Sequence, residues 1–439
     1  MVRSESPVSA RALVLDLTPV RKSRDLRVLF LSQLALMLGN GFTVVAIPFQ
    51  VFELTGSSLP VGMVGLVQGG AIIVGMLAGG TLADAWDRRR VLIWTRLLLA
   101  ATSLALALNA AAPRPSLWLL FLLSAAAAAS YGLGAPARVA AVPSMVRPEL
   151  LPSAAALHAI INQTGLLIGP ALAGLTIGLT GVTGAYVTEA VVATLSAFPL
   201  LFLRPIPVQE GAPRAGLGSI REGLDYVRRA PILLGILLVD AIAMIFGMPR
   251  AVFPALGAET FHGGPQVVGL LFAAPSAGAL LGALTSGWVS RVRRAGLAVL
   301  LATGVWGGAI VGFGFTSLLP LALALLALAG AADVISEVFR GTILQLQTDD
   351  VIRGRVSALW LAQTTGSPRL GDAEAGAVAA LTTPAFSVVS GGVACILGVG
   401  LVAWGIPVLR TATAPRVEEP PASDLAEKPG RHGGTSGKS

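Results

Sequence analysis

Along nearly the whole chain, apolar residues fall in blocks of about twenty separated by short polar turns. A helical block of that length crosses a hydrocarbon core about 30 Å thick. Leucine and alanine dominate the blocks and strand-like alternation is absent, so helices rather than a barrel satisfy the buried backbone. Of the 439 residues, 54% are hydrophobic and 12% charged, against about 25% charged in soluble domains. Most of the surface therefore faces something other than water. The expected fold is an all-α membrane protein embedded in the lipid bilayer.

Twelve spans are expected, over 28–51, 61–83, 91–111, 117–137, 159–177, 185–203, 232–256, 267–289, 297–315, 318–338, 356–381 and 386–408. Turn chemistry separates them, as at Thr55-Gly56-Ser57-Ser58, Pro113-Arg114-Pro115, Thr180-Gly181, Gly263-Gly264-Pro265 and Thr382-Thr383-Pro384. An even number of spans puts both termini on one side. Basic residues crowd that side, with Arg21, Lys22, Arg24 and Arg27 in the leader, Arg88, Arg89 and Arg90 after span two, and Arg293 and Arg294 after span eight. The opposite loops offer Arg114 alone. Such a bias places both ends in the cytoplasm of a bacterial cell, with the protein in its inner membrane. The same distribution argues against nucleic acid as a partner despite the net charge of +8, because no basic stripe interleaved with aromatics appears.

The organisation is then a leader (1–27), a first half (28–203), a linker (204–230), a second half (231–409) and a tail (410–439). In the linker, Ile220, Leu224 and Val227 recur at helical spacing beside Arg221, Arg228 and Arg229, the pattern of an interfacial amphipathic helix. The tail is rich in Pro, Glu, Gly and Ser and reads as disordered. The lone Cys395 has no partner for a disulfide and reads as packing.

Sliding the sequence by 207 positions aligns Val61 with Val268, Gly62 with Gly269, Gly75 with Gly282 and Gly80 with Gly287. Both copies end in a basic loop. Equivalent helices at equivalent depth imply two parallel six-helix repeats about an axis along the membrane normal.

Gly80-Thr81-Leu82-Ala83-Asp84 followed by Arg88-Arg89-Arg90 resembles the loop motif between helices two and three of the major facilitator superfamily. Within it, the chain is most similar to the enterobactin exporter group and related bacterial drug exporters, through Leu344-Gln345-Leu346-Gln347-Thr348, Gly354-Arg355-Val356, Leu359-Trp360-Leu361-Ala362-Gln363 and Gly371-Asp372-Ala373-Glu374. The resemblance implies the major facilitator fold, twelve transmembrane helices in two pseudo-symmetric bundles. It also implies alternating access driven by proton antiport, with export of a small molecule. Gly80, Asp84, Arg88, Arg89 and Arg90 would then lock the cytoplasmic gate, Asp84 meeting a helix N-terminus of the other half near Arg355. Arg88 and Arg89 would bridge to carboxylates. The family often has a basic residue where this chain has Ala85. Gly169, Pro170 and Gly174 resemble the glycine-proline element that proton antiporters carry in helix five, although close packing alone accounts for such a step. The arginine that many proton-coupled members carry within helix four is missing, Arg138 lying at its cytoplasmic end, so the resemblance leaves the coupling mechanism open.

Charges inside the membrane are costly and by default point to function. Asp240 and Arg250 lie ten residues apart in span seven, about 80° apart around a helix. Asp333, Glu337 and Arg340 share a face of span ten. In span eleven Arg369 and Asp372 stand i,i+3 beside Gly366, Pro368 and Gly371, breakers that suggest a bend with exposed backbone. An enclosed acid can exchange a proton as it meets water on alternate sides, and a nearby arginine opposes this. Asp240 and Asp333 are therefore the preferred carriers over Asp372 and Glu337, with Glu374 and Glu189 ranked lower and Glu189 placed near the outer interface. Simple ion pairing between helices remains open for all of them. Asn40 is a candidate for hydrogen bonding cargo or a neighbouring helix.

An enzyme would need a metal or acid–base cluster, yet His158, His262 and His432 are scattered, and neither HExxH nor a phosphate-binding loop occurs. No cofactor is expected. A sensor or receptor would need a signalling domain for which the chain has no room. The cargo is a siderophore or, alternatively, an amphipathic drug such as a macrolide. An acidic siderophore would suit Arg250 and Arg340; a cationic drug would suit Asp240, Asp333 and Glu337. The expected working unit is the monomer.

Overall fold

The computed structural model describes residues 16–206, 217–285, 292–349 and 352–413. Gly287, the residues of the leader before Asp16, most of the tail and the side chains of Ile220 and Arg221 lie outside this description. The described chain is helical: α1 (Thr18–Lys22), α2 (Arg24–Thr55), α3 (Ser58–Ala85), α4 (Arg88–Ala111), α5 (Leu117–Ala141), α6 (Leu151–Leu200), α7 (Leu217–Arg229), α8 (Pro231–Phe246), α9 (Phe253–Glu259), α10 (Pro265–Leu284), α11 (Ala295–Phe315), α12 (Leu319–Leu346), α13 (Arg353–Leu381), α14 (Pro384–Gly405) and α15 (Pro407–Thr411). Ten of these helical stretches are long and apolar enough to cross a membrane.

Turn chemistry fixes the ends. Ser57, Ser116 and Thr383 cap α3, α5 and α14 by accepting from the amides of Leu59, Leu119 and Phe386. Gly56, left-handed at φ 62°, ends α2.

Two stretches differ from the expected spans. Spans five and six form one helical run, α6, with the single residue Gly181 at φ 72° and ψ 179° between its arms. Only glycine adopts that conformation without strain, so one residue replaces the expected loop. Span seven is broken. Helix α8 stops at Phe246, and a one-turn 3-10 helix at Arg250–Val252 leads into α9. Pro249 supplies no amide and keeps its predecessor out of the helical region. The Trp306 indole donates to the Gly247 carbonyl at 2.9 Å and satisfies a group that the break exposes. Asp240 and Arg250 therefore do not share a helix. Helix α13 runs continuously past Pro368.

The repeat is visible in the packing. Helix α3 packs on α5 as α10 packs on α12, and α4 on α6 as α11 on α14. Gly75 abuts the Ala129 carbonyl of α5, and Gly282, one repeat later, abuts the Ala331 carbonyl of α12. Small residues let helices approach closely where lipid offers no hydrophobic drive for association.

Where the halves meet, glycines again make the contact. On one side Gly62, Gly65 and Gly69 of α3 lie against Asp372 and Arg369 of α13, and Gly376 lies against the Ser58 carbonyl. On the other, Gly174 of α6 faces Gly269 and the Pro265 carbonyl of α10. Both contacts lie toward the membrane face that carries the 56–57, Gly181 and 382–383 turns, so the halves converge there. Gly169 faces Gly41 of α2, so the helix-five element packs both within its own half and across the seam.

A Cβ on Gly41 would lie 2.5 Å from the Gly169 backbone, whereas one on Gly80 would meet nothing within 4 Å. Gly41→Ala is expected to destabilise the protein by about 1–3 kcal/mol, read as a lower thermal midpoint in detergent. Gly80→Ala leaves the midpoint unchanged or slightly raised.

A charged cavity at the seam between the halves

The seam encloses two adjoining cavities, of about 270 Å³ and 260 Å³. Arg250 and Leu166 line both, so Arg250 stands at their boundary. The break after α8 puts it there: a straight helix would carry this side chain along its own face, and the 3-10 turn turns it toward the seam.

The first cavity brings Asn40 of α2, Gln68 of α3 and Tyr131 of α5 opposite Arg250, Arg369 and Asp372. The Asp372 carboxylate, on a residue only 5% exposed, is shared by Arg250 Nε at 3.7 Å and Arg369 Nη1 at 3.6 Å. Arg369 also donates to Gln68 Oε1 at 3.4 Å, a hydrogen bond that crosses between the halves. Both ion pairs are long, and neither Asp372 Oδ1 nor Arg250 Nε has a hydrogen-bond partner. Two guanidinium groups thus face one carboxylate in a polar chamber. That cluster carries one positive charge in excess, available to an anion.

The second cavity is lined by Asp333, Glu337, Gln163 and Ser276 together with Arg250. Glu337 makes no ion pair among the described residues. Asp333 is held by Arg340 at 3.2 Å, and Arg340 also reaches Asp240 Oδ1 at 2.9 Å. Gln363 of α13 donates to Asp240 Oδ2 at 2.9 Å and to the Leu237 carbonyl at 2.8 Å. With Arg340 1% exposed and 5.8 Å from the Trp360 ring, this triad is an internal brace that meets the second cavity only at Asp333. It corrects two expectations. Asp240 and Asp333, preferred as acids free of arginine, are the two that Arg340 pairs. Arg340, expected to welcome an acidic cargo, is closed off from both cavities. The i,i+7 reach to Asp333 spans two helical turns, which local spacing around Glu337 did not suggest.

Among the remaining candidates, Glu374 is partly buried and lines neither cavity. Asp84 is exposed and makes no ion pair among the described residues, while Arg355 binds Glu222 of α7 instead. Arg88 donates to the Ala140 carbonyl at 3.2 Å, and Arg89 to the Leu200 and Leu201 carbonyls at 3.0 and 2.6 Å. Those two arginines, expected to bridge carboxylates, instead tie the loop to carbonyls of their own half. Asp87 joins them by accepting from the Ile206 amide. Among the described residues Arg88 and Arg89 therefore make no ion pair, at the face opposite the seam contacts. Arg90 is exposed.

Sequence reasoning missed Arg369 as a cavity cation, although its i,i+3 spacing to Asp372 was visible. It also missed the enclosure of Arg96 and Arg138. Arg96 donates to Gln33 at 3.5 Å, and Arg138 lies over the Tyr131 ring at 4.6 Å. Gln33 stands one repeat length before Asp240, so the first half has an amide where the second has an acid. Glu189 was placed near the outer interface; it is 0% exposed and lies inside the first half.

A doubled helical body closed by glycine seams around charged cavities is the architecture of a membrane carrier, and its solved likenesses are carriers. The structure matches a bacterial homolog of the human lysosomal transporter Spinster in an inward-facing, occupied conformation, with a TM-score of 0.69, 16% identity and coverage of 88% of this chain and 96% of that one. A POT family transporter in complex with 5-aminolevulinic acid matches with a TM-score of 0.70 and 12% identity over 88% of this chain and 97% of that one. Residues 15–430 match the family described as transmembrane secretion effector, and the chain belongs to this family of the major facilitator superfamily. Its relatives include the enterobactin exporter EntS of Shigella boydii serotype 18, 31% identical over 405 residues, which cover 92% of this chain and 95% of that protein. The enterobactin exporter EntS of Escherichia coli O6:K15:H31 shows the same identity and coverage.

Removing the cation from the triad strands two acids. Arg340→Gln is expected to cost about 3–5 kcal/mol, seen as a lower unfolding midpoint in detergent. Adding Asp240→Asn recovers part of that loss, because the two positions are coupled.

Proposed function

We propose that this chain is a twelve-span secondary exporter of the bacterial inner membrane, with both termini in the cytoplasm, and that its cargo is an acidic siderophore of the catechol type. Counting the two arms of α6 separately and adding α13 to the apolar helices gives twelve spans in two related bundles. Helix α13 falls below the hydropathy of the others because it carries Arg369, Asp372 and Glu374. The basic loops support the orientation. With that orientation the seam contacts lie on the outer side, and the state described here faces inward. Relatives that are enterobactin exporters support the cargo class.

One observation carries the reading: Arg250 and Arg369 share a single Asp372 at the wall of the seam cavity. An acidic group entering from the cytoplasm takes the place of Asp372 on the two guanidiniums. The same carboxylate sits against Gly65 of α3, so releasing it loosens the outer seam, and cargo binding is linked to opening on the far side. The proposed driving force is a proton gradient, a reading supported by the likeness of the Gly169-Pro170 step to that of proton antiporters. Asp84 and its arginines then close the cytoplasmic end while the carrier faces outward.

A second reading, efflux of a cationic amphipathic drug, draws on Asp333 and Glu337 lining the second cavity. Counterflow in proteoliposomes under an imposed pH gradient separates the two. The siderophore reading predicts gradient-dependent movement of a catechol siderophore, with half-saturation raised at least tenfold by Arg250→Gln, about 1.4 kcal/mol of binding. The drug reading predicts macrolide movement weakened by Glu337→Gln instead. Movement of neither class under any gradient rejects export.

A further inference from the structure

The brace and the seam account for the enclosed acids of the second half by giving each an arginine. Glu189, in the second arm of α6, has none. It is 0% exposed, and only the hydroxyls of Thr43 and Ser103 lie beside its carboxyl, neither in good hydrogen-bond geometry. Three helical segments surround it. From α2 come Gly39, whose Cβ would lie 4.0 Å from Glu189 Cγ, and the hydroxyl of Thr43. From α4 comes the hydroxyl of Ser103, already committed to the Leu99 carbonyl at 2.9 Å. On its own arm the titratable neighbour is Tyr186, whose hydroxyl donates to Gln50 at 2.8 Å. No Lys, Arg or His of α2, α4 or α6 pairs with it among the described residues. The nearest cation along α4, Arg96, lies seven residues before Ser103 and is turned to Gln33.

An ionised carboxylate enclosed without a cation is among the costliest things a membrane protein can hold. Thr43 lies between Glu189 and the first cavity: it lines the cavity, and its own Oγ1 has no partner. A hydroxyl that both donates and accepts is suited to hand a proton from cavity water to a carboxyl. Gly41, two residues before Thr43 and in backbone contact with Gly169, lets α2 lie close against α6, so a small sliding of α2 alters access to Glu189.

We infer that Glu189 is the site at which this carrier binds and releases its driving proton, reached from the cargo cavity past Thr43. The step is a reversible protonation. The O–H bond of the acid breaks, the proton passes to water in the inward-facing cavity, and the carboxylate is reprotonated from the outer side after cargo leaves. No other bond changes. The inference rests on proton-driven export as proposed above, and it moves the coupling site from the arginine-paired acids to the one fully enclosed acid among the described residues that has no arginine.

The test uses the full chain in proteoliposomes with an internal pH dye, a catechol siderophore as cargo, and separately imposed proton and sodium gradients. Glu189→Gln is expected to abolish siderophore accumulation under a pH gradient and siderophore-driven proton flux, at least tenfold in each. It retains siderophore exchange at equal concentration on both sides, a reaction that needs no net proton transfer. Thr43→Val slows the proton-linked rate severalfold with exchange intact, and carries the test if the Glu189 variant does not fold. Full proton coupling in Glu189→Gln, or an unchanged proton-linked rate in Thr43→Val when Glu189→Gln is unfolded, overturns the role of Glu189 alone. A wild-type carrier driven by sodium, or by no ion gradient, removes proton coupling itself and Glu189 with it.

Discussion

One carboxylate holds the seam between α3 and α13 in place. Asp372 lies against the glycine face of α3, and its charge is balanced by Arg250 on one side and Arg369 on the other. Neither contact is strong alone, since both ion pairs exceed 3.5 Å. Their strength comes from enclosure, where charges with few alternatives interact more than they would in water. The glycines Gly62, Gly65 and Gly69 are what bring α3 near enough for Asp372 to matter. The same group joins the glycine contact to the two arginines for which the proposed cargo would compete. A seam that is adequate but not rigid is what a carrier needs, because each closure must be reversed in every cycle.

The two halves use charge differently. In the second half, Arg340 draws Asp240 and Asp333 into one ion-paired triad, with Gln363 tying α13 to the same point. This brace fixes α8, α12 and α13 to one another. In the first half the repeat-related position of Asp240 is Gln33, Arg96 and Arg138 are enclosed without a carboxylate, and Glu189 is enclosed without a cation. One half is braced by charges that cancel, and the other holds charges that do not. That asymmetry lies within a repeated fold, and the inferred proton site falls in the half whose charges are not paired.

Much of the architecture was legible in the sequence. Blocks of apolar residues, the glycine register and the basic loops each follow from the bilayer, which leaves few options for a long apolar chain. Gly75 and Gly282 were found as a repeat and sit at equivalent backbone contacts. The site was legible only in part. Local spacing found the Arg369–Asp372 pair, yet it assigned Arg340 to Glu337, whereas distance in space assigns it to Asp240 and Asp333. Pro249 was visible, but that it would end α8 and turn Arg250 into the cavity depends on Trp306 from α11 satisfying the Gly247 carbonyl. The enclosure of Glu189 could not be read from its depth along a span, because α2 and α4 are what cover it. Neighbours from distant segments decided every error.

The central claim is that cargo on the two arginines releases Asp372 and opens the outer seam. Pulsed electron paramagnetic resonance measures this directly, with spin labels at Leu59 and Thr382 on the outer side and at Trp86 and Ser357 on the inner side. The account predicts that a saturating catechol siderophore lengthens the outer distance and shortens the inner one, and that Arg250→Gln suppresses both changes. Unchanged distances with cargo bound, or an equal response in the Arg250→Gln variant, would contradict it.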